Sequence, residues 1–349
     1  MKNNKEYTYL AVDLGTSNII VYVSGHGIVY NEPSIMAYNT LTNESIALGA
    51  EAYDLVGKTH SEIRLVKPIS EGVITDMDAA NDLLKQIFGR LKMIDVWKNS
   101  VVLIACPSGI TELERDALKQ IAKSLGASFV FTEDSVLLSA IGAGVNVTLP
   151  QGNLVIDIGA GTTEMAIVSS NLVIASRSEK VAGDHFNEEI AKYVRAEYNV
   201  LLGEKTTETV KKEIGTLIKL TNDRELKVYG RDVVTGLPRE VILRANEIKN
   251  VLLTPFSKIT DAVVELLEQT PPELSGDIIR NGITLSGGGS LIKGVVKYFE
   301  SIFQLKVTAA QDPTLCVIEG ARSYESNLSK FVERAQLLEK RMTPFTKLR

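Results

Sequence analysis

Three glycine-bearing turns hold the residues best suited to chemistry. They read Asp13-Leu-Gly-Thr-Ser-Asn18, Asp157-Ile-Gly-Ala-Gly-Thr-Thr163 and Ser286-Gly-Gly-Gly-Ser290. A phosphate chain needs close backbone approach and converging N–H donors. Glycine permits both, because it has no Cβ and tolerates positive φ. The hydroxyls of Thr16, Ser17, Thr162 and Thr163 add further donors. A single Asp-x-Gly turn is also what an ordinary hairpin needs. Two such turns with a Ser-Gly-Gly-Gly-Ser run point together to a phosphate-binding cleft. The third run precedes an apolar helical stretch, 291–303, whose N-terminus would favour an anion.

The elements that must position these turns follow from hydrophobic period. Residues 9–24 and 153–168 share one plan: an apolar β-branched run, an Asp, a Gly turn with hydroxyls, a second apolar run. That is a hairpin pattern. The two aspartates lie 144 positions apart, which suggests two duplicated halves and is far too long a period for a solenoid. Strands are predicted at 101–106, 128–132 and 282–286. Helices are predicted at 111–126, 136–144, 183–199, 205–221 and within 240–269. Thr111 and Glu114 form a capping-box pattern, and Gly126 is a stop. Alternating strands and helices argue for an α/β fold. Residues 31–73 and 222–243 read as β-rich insertions.

Bulk properties narrow the class. The chain has 349 residues, a length suited to two domains. Its net charge of −5 argues against nucleic-acid binding by bulk electrostatics. Cys106 and Cys316 sit in apolar runs and read as buried thiols. The three histidines lack metal-ligand spacing. No 18-residue apolar run spans a membrane, and the start lacks a signal-peptide pattern. The cytoplasm is the expected location.

The segments DLGTSN, DIGAGTTE and LSGGGSLIKG are similar to the phosphate and adenosine motifs of the superfamily of actin, the 70-kDa heat-shock chaperones and the sugar kinases. NEPSIMAY, KPISEGVITDMD, CPSGITELERDAL, GEKTTETVKKEIG and GRDVVTGLPREV resemble the bacterial actin family MreB, and the likeness runs from about residue 9 to 325. It implies an actin-like fold, two duplicated α/β domains around a nucleotide cleft, each with a smaller subdomain. The first domain would span 1–150, with 31–73 as its small subdomain and 315–349 returning to it. The second would span 151–314, with 183–240 as its small subdomain. A sugar or acetate kinase on the same fold needs a carboxylate aimed at a hydroxyl acceptor and larger substrate loops, and neither is evident.

Site roles follow from the same resemblance. Gly15, Thr16, Ser17 and Asn18 would line the β- and γ-phosphates of ATP or ADP. Gly159, Ala160 and Gly161 would form the second hairpin, with alanine where the family usually has glycine. Asp13 and Asp157 would hold Mg²⁺ through water. Glu208, Thr209, Val210 and Lys211 match the ribose and adenine contacts, although on residues alone Glu208 and Lys211 also read as a solvated ion pair. Gly287, Gly288, Gly289 and Ser290 would pack on the adenosine and α-phosphate. Thr162 and Thr163 would help place the attacking water. One position departs: the family's water-orienting glutamate falls at Ser135, in Asp134-Ser135-Val136. A serine is shorter, uncharged and no carboxylate base, so weak hydrolysis is expected.

The resemblance also implies self-association, head to tail in filaments paired as antiparallel double protofilaments, because a heterologous interface that does not close generates an open polymer. Paralogous actin-like chains are possible partners. An anionic membrane is another, with the protein peripheral at its inner face. Val96 and Trp97, the only Trp, stand where the family has an apolar loop that dips into lipid. Trp suits such an interface and equally suits a core. The stretch 330–349 carries six basic residues against two acidic ones, which fits anionic lipid or a solvated tail. The task would be cell shape, or motility in wall-less cells.

Overall fold

The computed structural model describes residues 7–92 and 94–342. The first half opens with β1 (Thr8–Leu14), β2 (Asn18–Val23) and β3 (Gly27–Pro33), antiparallel neighbours in sequence order. A small sheet follows from β4 (Met36–Asn39), β5 (Ser45–Leu48) and β6 (Ile63–Val66), with helix α1 (Gly49–Asp54) after β5. The ribbon β7 (Ile69–Ser70) and β8 (Val73–Ile74) leads into α2 (Met77–Arg90) and α3 (Ile94–Lys98). β9 (Ser100–Cys106), α4 (Glu112–Ser124) and β10 (Phe129–Asp134) complete a five-stranded sheet ordered β10-β9-β1-β2-β3. β9 and β10 pair in parallel, as a crossover helix requires. α5 (Ser135–Gly142) then leaves the sheet.

The second half repeats this plan. β11 (Asn153–Ile158), β12 (Thr163–Ser169) and β13 (Leu172–Glu179) form antiparallel pairs. α6 (Gly183–Tyr198), β14 (Val200–Leu201), α7 (Glu204–Ile214), β15 (Glu225–Asp232) and β16 (Pro238–Arg244) build a second small unit. α8 (Ala245–Glu268), α9 (Pro272–Asn281), β17 (Ile283–Ser286), α10 (Val295–Phe303) and β18 (Val307–Ala309) follow, and the sheet reads β13-β12-β11-β17-β18. α11 (Cys316–Ser323) and α12 (Leu328–Met342) end the described chain. α11 returns to the first sheet: Tyr9 donates to the Ala321 carbonyl at 2.6 Å, and Tyr22 and Ser24 both donate to Glu325 just beyond the helix.

Both large sheets are covered on two faces, so their central strands are apolar over most of their length, with Asp13 and Asp157 as the charged exceptions near their ends. Every residue of β9 is buried, as expected for a strand between two layers. One cluster packs Leu10, Val12 and Ile104 against α2 and α4, and another packs Tyr9, Ala11 and Leu103 against α5 and α11. α5 is shared by the two halves. Its Leu138 faces the first sheet, while Val136, Leu137 and Ala140 face Val155 and Ala166 of the second. α5 and α11 cross at backbone contact. A Cβ added to Gly142 would lie 1.9 Å from the Cys316 carbonyl oxygen, and one on Gly320 would lie 1.8 Å from that of Leu138.

The capping box at Thr111 and Glu114 forms in full. Cys106 and Cys316 are buried and free. Two helices are shorter than their patterns. α7 stops at Ile214 because Gly215 turns the chain toward Lys293, to which Thr216 and Leu217 bond. The apolar stretch 291–303 begins its helix only at Val295. A 3₁₀ turn over Gly288–Leu291 and a left-handed Gly294 precede it, and a Cβ on Gly294 would strike Ile218 at 2.7 Å.

Trp97 corrects the lipid expectation. It is 1% exposed, lies with its ring centre 4.1 Å from that of Phe88, and donates its indole N–H to the Ala122 carbonyl at 2.9 Å. Val96 packs half-buried against the same core. An indole held this way already has its apolar partners and its hydrogen bond, so nothing is left for lipid to supply. Trp97→Ala should cost about 3–5 kcal/mol of stability, measured by denaturant unfolding. The indole emission of the wild type should be blue-shifted and unmoved by anionic liposomes; a shift on liposome addition would reverse the assignment.

Candidate functional site

Asp13 ends the polar side of β1 and Asp157 that of β11, each one residue pair inside its hairpin. Each half therefore contributes one carboxylate from the same place in its sheet. Burial pushes Asp13 up to about 7, and the Asp157 charge adds to this. Burial also pushes Asp157 up to about 6, with Glu164 contributing and hydrogen bonds from Ser139 and Ser286 pulling the other way. Ser139 and Ser286 are themselves 2.6 Å apart. Neither serine was assigned this role from sequence; only the crossing of α5 over β17 brings them to Asp157. Two facing carboxylates that both resist ionising form a donor set that a divalent cation relieves.

The glycine turns surround this pair. The first is pinned by Ser34, whose hydroxyl donates to the Gly15 carbonyl at 2.6 Å. Thr16 Oγ1 accepts the Gly72 amide at 3.2 Å. Ser17 donates to Asn18 Oδ1 at 3.0 Å, and Asn18 Nδ2 donates to Asn31 at 2.8 Å. In the second turn the Gly159 amide donates to the Thr162 carbonyl at 2.9 Å, and α6 docks on it through Gly183 N to Gly159 O and Asp184 N to Ala160 O. Thr162 lies beside Gly72, whose added Cβ would sit 2.8 Å from its methyl. Thr163 corrects its expected role: it is fully buried, and its hydroxyl donates to the Val181 carbonyl at 2.7 Å. As the first residue of β12 it faces the core, so water placement would fall to Thr162 alone.

The third turn separates its glycines by task. Gly287 has φ +76°, and a Cβ there would sit 2.4 Å from Asp157 Oδ1. On Gly289 it would sit 2.2 Å from Ile158. Gly288 meets only Thr314, at 3.7 Å. The outer two are demanded by packing, and Gly288 alone has room on its open side. Ser290 donates back to the Gly287 carbonyl at 2.7 Å, closing the turn.

A pocket above the turns is lined by Thr16, Ser17, Asn18, Ala160, Glu208 and Lys211 together with Tyr53, Lys67, Asp184 and Glu204. Within α7 the lining comes from Glu204, Glu208, Lys211 and Lys212, which share one face of the helix, and Thr209 and Val210 are not among them. Thr209 is exposed and bonds to the Lys205 carbonyl, and Val210 is fully buried in the core. Both are corrected as nucleotide contacts, because the helical period turns them elsewhere. Burial works against the Glu208 charge, but hydrogen bonds from Lys212 and Tyr53 win and hold its carboxyl below the usual range. Burial lowers the Lys211 ammonium in spite of Glu208 and Asp184, and Lys211 donates to the Gly183 carbonyl at 2.8 Å.

Ser135 is the first residue of α5. The two acids before it are committed elsewhere. Asp134 pairs with Arg115 at 3.2 Å, and Glu133 accepts from Tyr324 at 3.3 Å and is raised by burial. A carboxylate missed from sequence stands nearby. Glu164 is 5% exposed, pairs in register with Asp157, and accepts from the Ser108 amide at 2.9 Å and the Ser178 hydroxyl at 2.8 Å. The only signal was its place at the end of DIGAGTTE.

Two hairpin-headed α/β halves, joined by crossing helices and facing each other with paired carboxylates, define an actin-like fold. The structure matches MreB5 of Spiroplasma citri bound to AMPPNP with a TM-score of 0.92 and 57% identity, over 94% of this chain and 99% of that one. It matches the MamK double helical filament subunit with a TM-score of 0.77 at 21% identity, which bears on the fold alone. In sequence, the chain is 38% identical to the cell shape-determining protein Mbl of Bacillus cereus over 93% of its length and 98% of the relative's. It is 39% identical to MreB of Escherichia coli K12 over 89% and 91%. The MreB/Mbl family model matches residues 7–333, and the chain belongs to that family.

The turns also lie against each other across the cleft. A Cβ on Gly161 would come 2.5 Å from Thr16 Oγ1 and 2.9 Å from the Glu71 Cα. Gly161→Ala should therefore wedge the halves apart, seen as a larger radius of gyration in small-angle scattering. An unchanged radius would show that the cleft accommodates the methyl.

Proposed function

We propose that the chain binds Mg-ATP in this cleft, polymerises head to tail, and hydrolyses ATP slowly. The observation that carries the reading is the convergence of Asp13, Asp157 and three glycine turns on one cleft. The relative from Spiroplasma citri was solved with AMPPNP and with ADP. The relatives from Bacillus and Escherichia coli are named as cell shape-determining proteins. The segments 1–150 and 151–314 would act as the two domains, with 315 onward riding on the first.

In this reading Thr16, Ser17 and Asn18 hold the terminal phosphates from one side, and Gly159, Ala160 and Gly161 hold them from the other. Glu208 and Lys211 face the ribose and adenine. Gly288 gives its open side to the adenosine. Asp13 and Asp157 would hold Mg²⁺ through water, since that ion dehydrates reluctantly. Bound there, the ion would neutralise phosphate charge. Water activation is the weak step. Ser135 offers no carboxylate, and Asp134 and Glu133 are held by Arg115 and Tyr324. Losing one positioning group in a site of this kind costs on the order of 10²-fold or more in rate.

The polymer would be an antiparallel pair of protofilaments on the inner face of the cell membrane, setting shape or driving motility, with paralogous chains as further partners. With Trp97 in the core, anionic lipid would meet the basic stretch 330–349. Its last residues, 343–349, lie outside the described ones, and α12 carries the rest.

Gly288→Val should fold normally and lose ATP affinity in calorimetry; unchanged affinity would refute the adenosine assignment. Ser135→Glu should raise phosphate release at saturating ATP without tightening ATP binding, because the group acts in the transition state. No gain would show that position 135 is not limiting. Removing residues 340–349 should reduce co-sedimentation with anionic liposomes, and salt should weaken the wild-type association; equal binding with and without them would remove the tail as a lipid contact.

A further inference from the structure

Side chains of residues 53–71 meet side chains of residues 180–212 above the cleft, so each contact joins the first half to the second. Tyr53, on α1, donates its hydroxyl to Glu208 Oε2 on α7 at 2.7 Å. Lys205 lies 4.6 Å over the Tyr53 ring and 3.5 Å from Asp54. Lys67 pairs with Glu204, and Lys180 pairs with Glu71 at 2.7 Å.

These contacts are unequal. Asp54 is 82% exposed and Lys180 68%, and ion pairs so exposed contribute little and are screened by salt. The Tyr53–Glu208 bond is the protected one. Glu208 is 25% exposed, and Lys212 holds its other oxygen at 2.7 Å. A hydrogen bond to a charged acceptor of this kind is stronger than a neutral one. Tyr53 and Glu208 also line the pocket over the glycine turns.

We propose that Tyr53 is a gate residue for a purine nucleoside phosphate, its hydroxyl bond to Glu208 holding the cleft shut over the bound molecule and setting its release rate. The proposal rests on the nucleotide reading above. Each carboxylate oxygen accepts more than one hydrogen bond, so Glu208 can hold Tyr53 and a ribose hydroxyl at once. Nucleotide and gate then stabilise the same closed state, and neither can leave without loosening the other.

The test is release of fluorescent ADP chased with excess ATP. Tyr53→Phe keeps the ring under Lys205 and removes only the hydroxyl. Release should become about tenfold faster, the size expected for one hydrogen bond to a charged group. Lys67→Glu should also speed release, and Glu204→Lys in the same chain should restore it, a rescue that a role in packing alone would not give. Release from Tyr53→Phe at the wild-type rate overturns the gate. A wild type that retains no nucleotide overturns the nucleotide reading instead. The contact itself is then read without nucleotide, by electron-spin distances between labels on cysteines placed at exposed Ser61 and Asn222; the native cysteines are buried. A longer, broader distance in Tyr53→Phe supports the clasp, and an unchanged one ends it.

Discussion

α5 and α11 touch backbone to backbone, and the placement of the cleft follows from that contact. With Gly142 against the Cys316 carbonyl and Gly320 against that of Leu138, neither position has room for a methyl. The close approach lets one short helix pack on two sheets at once. Leu138 seats it on the first sheet, and Val136 and Ala140 seat it on the second. Ser139 on the same helix reaches Ser286 and Asp157, and Ser135 begins it. Moving α5 by one side-chain width would separate Asp13 from Asp157, withdraw the serine support from Asp157 and shift position 135. The two carboxylates at the cleft floor are thus held together by apolar packing and glycine, against their mutual repulsion.

Local patterns were legible because their causes are local. An apolar run, an Asp and a glycine turn specify a hairpin whichever sheet receives it, so both hairpin turns and the duplicated plan could be read from residues 9–24 and 153–168. The capping box at Thr111 is a contact three residues long and formed as written. The segments that differed depend on distant partners. Gly215 ends α7 because Lys293 captures the following chain, and Gly294 delays α10 because Ile218 fills the space beside it.

Direction of side chains was the less legible part of the site. Residues 208–211 resemble one family segment as a continuous string, yet of these four a helix sends only Glu208 and Lys211 to the pocket side. Thr163 follows Thr162 in sequence, but the strand's alternation turns its hydroxyl to Val181. Trp97 sits in a short apolar stretch whose composition suits lipid and core equally. The carbonyl of Ala122 and the ring of Phe88 decide the matter, and neither is near it in the chain.

Position 135 shows how a single substitution acts through its neighbours. Three consecutive side chains, Glu133, Asp134 and Ser135, stand where β10 becomes α5. Neither acid is left to turn freely toward the cleft. Arg115 on α4 and Tyr324 beyond α11 hold them. Turning Asp134 inward would break a pair whose members are both mostly buried, leaving Arg115 unpaired; such a loss is far costlier than that of an exposed pair. Glu164, on the hairpin itself, has its two oxygens held by Ser108 across the cleft and by Ser178. Freeing it would loosen the tie between the halves. The acids around Ser135 are therefore occupied in packing and in tying the halves together, and Ser135 itself adds no carboxylate among them.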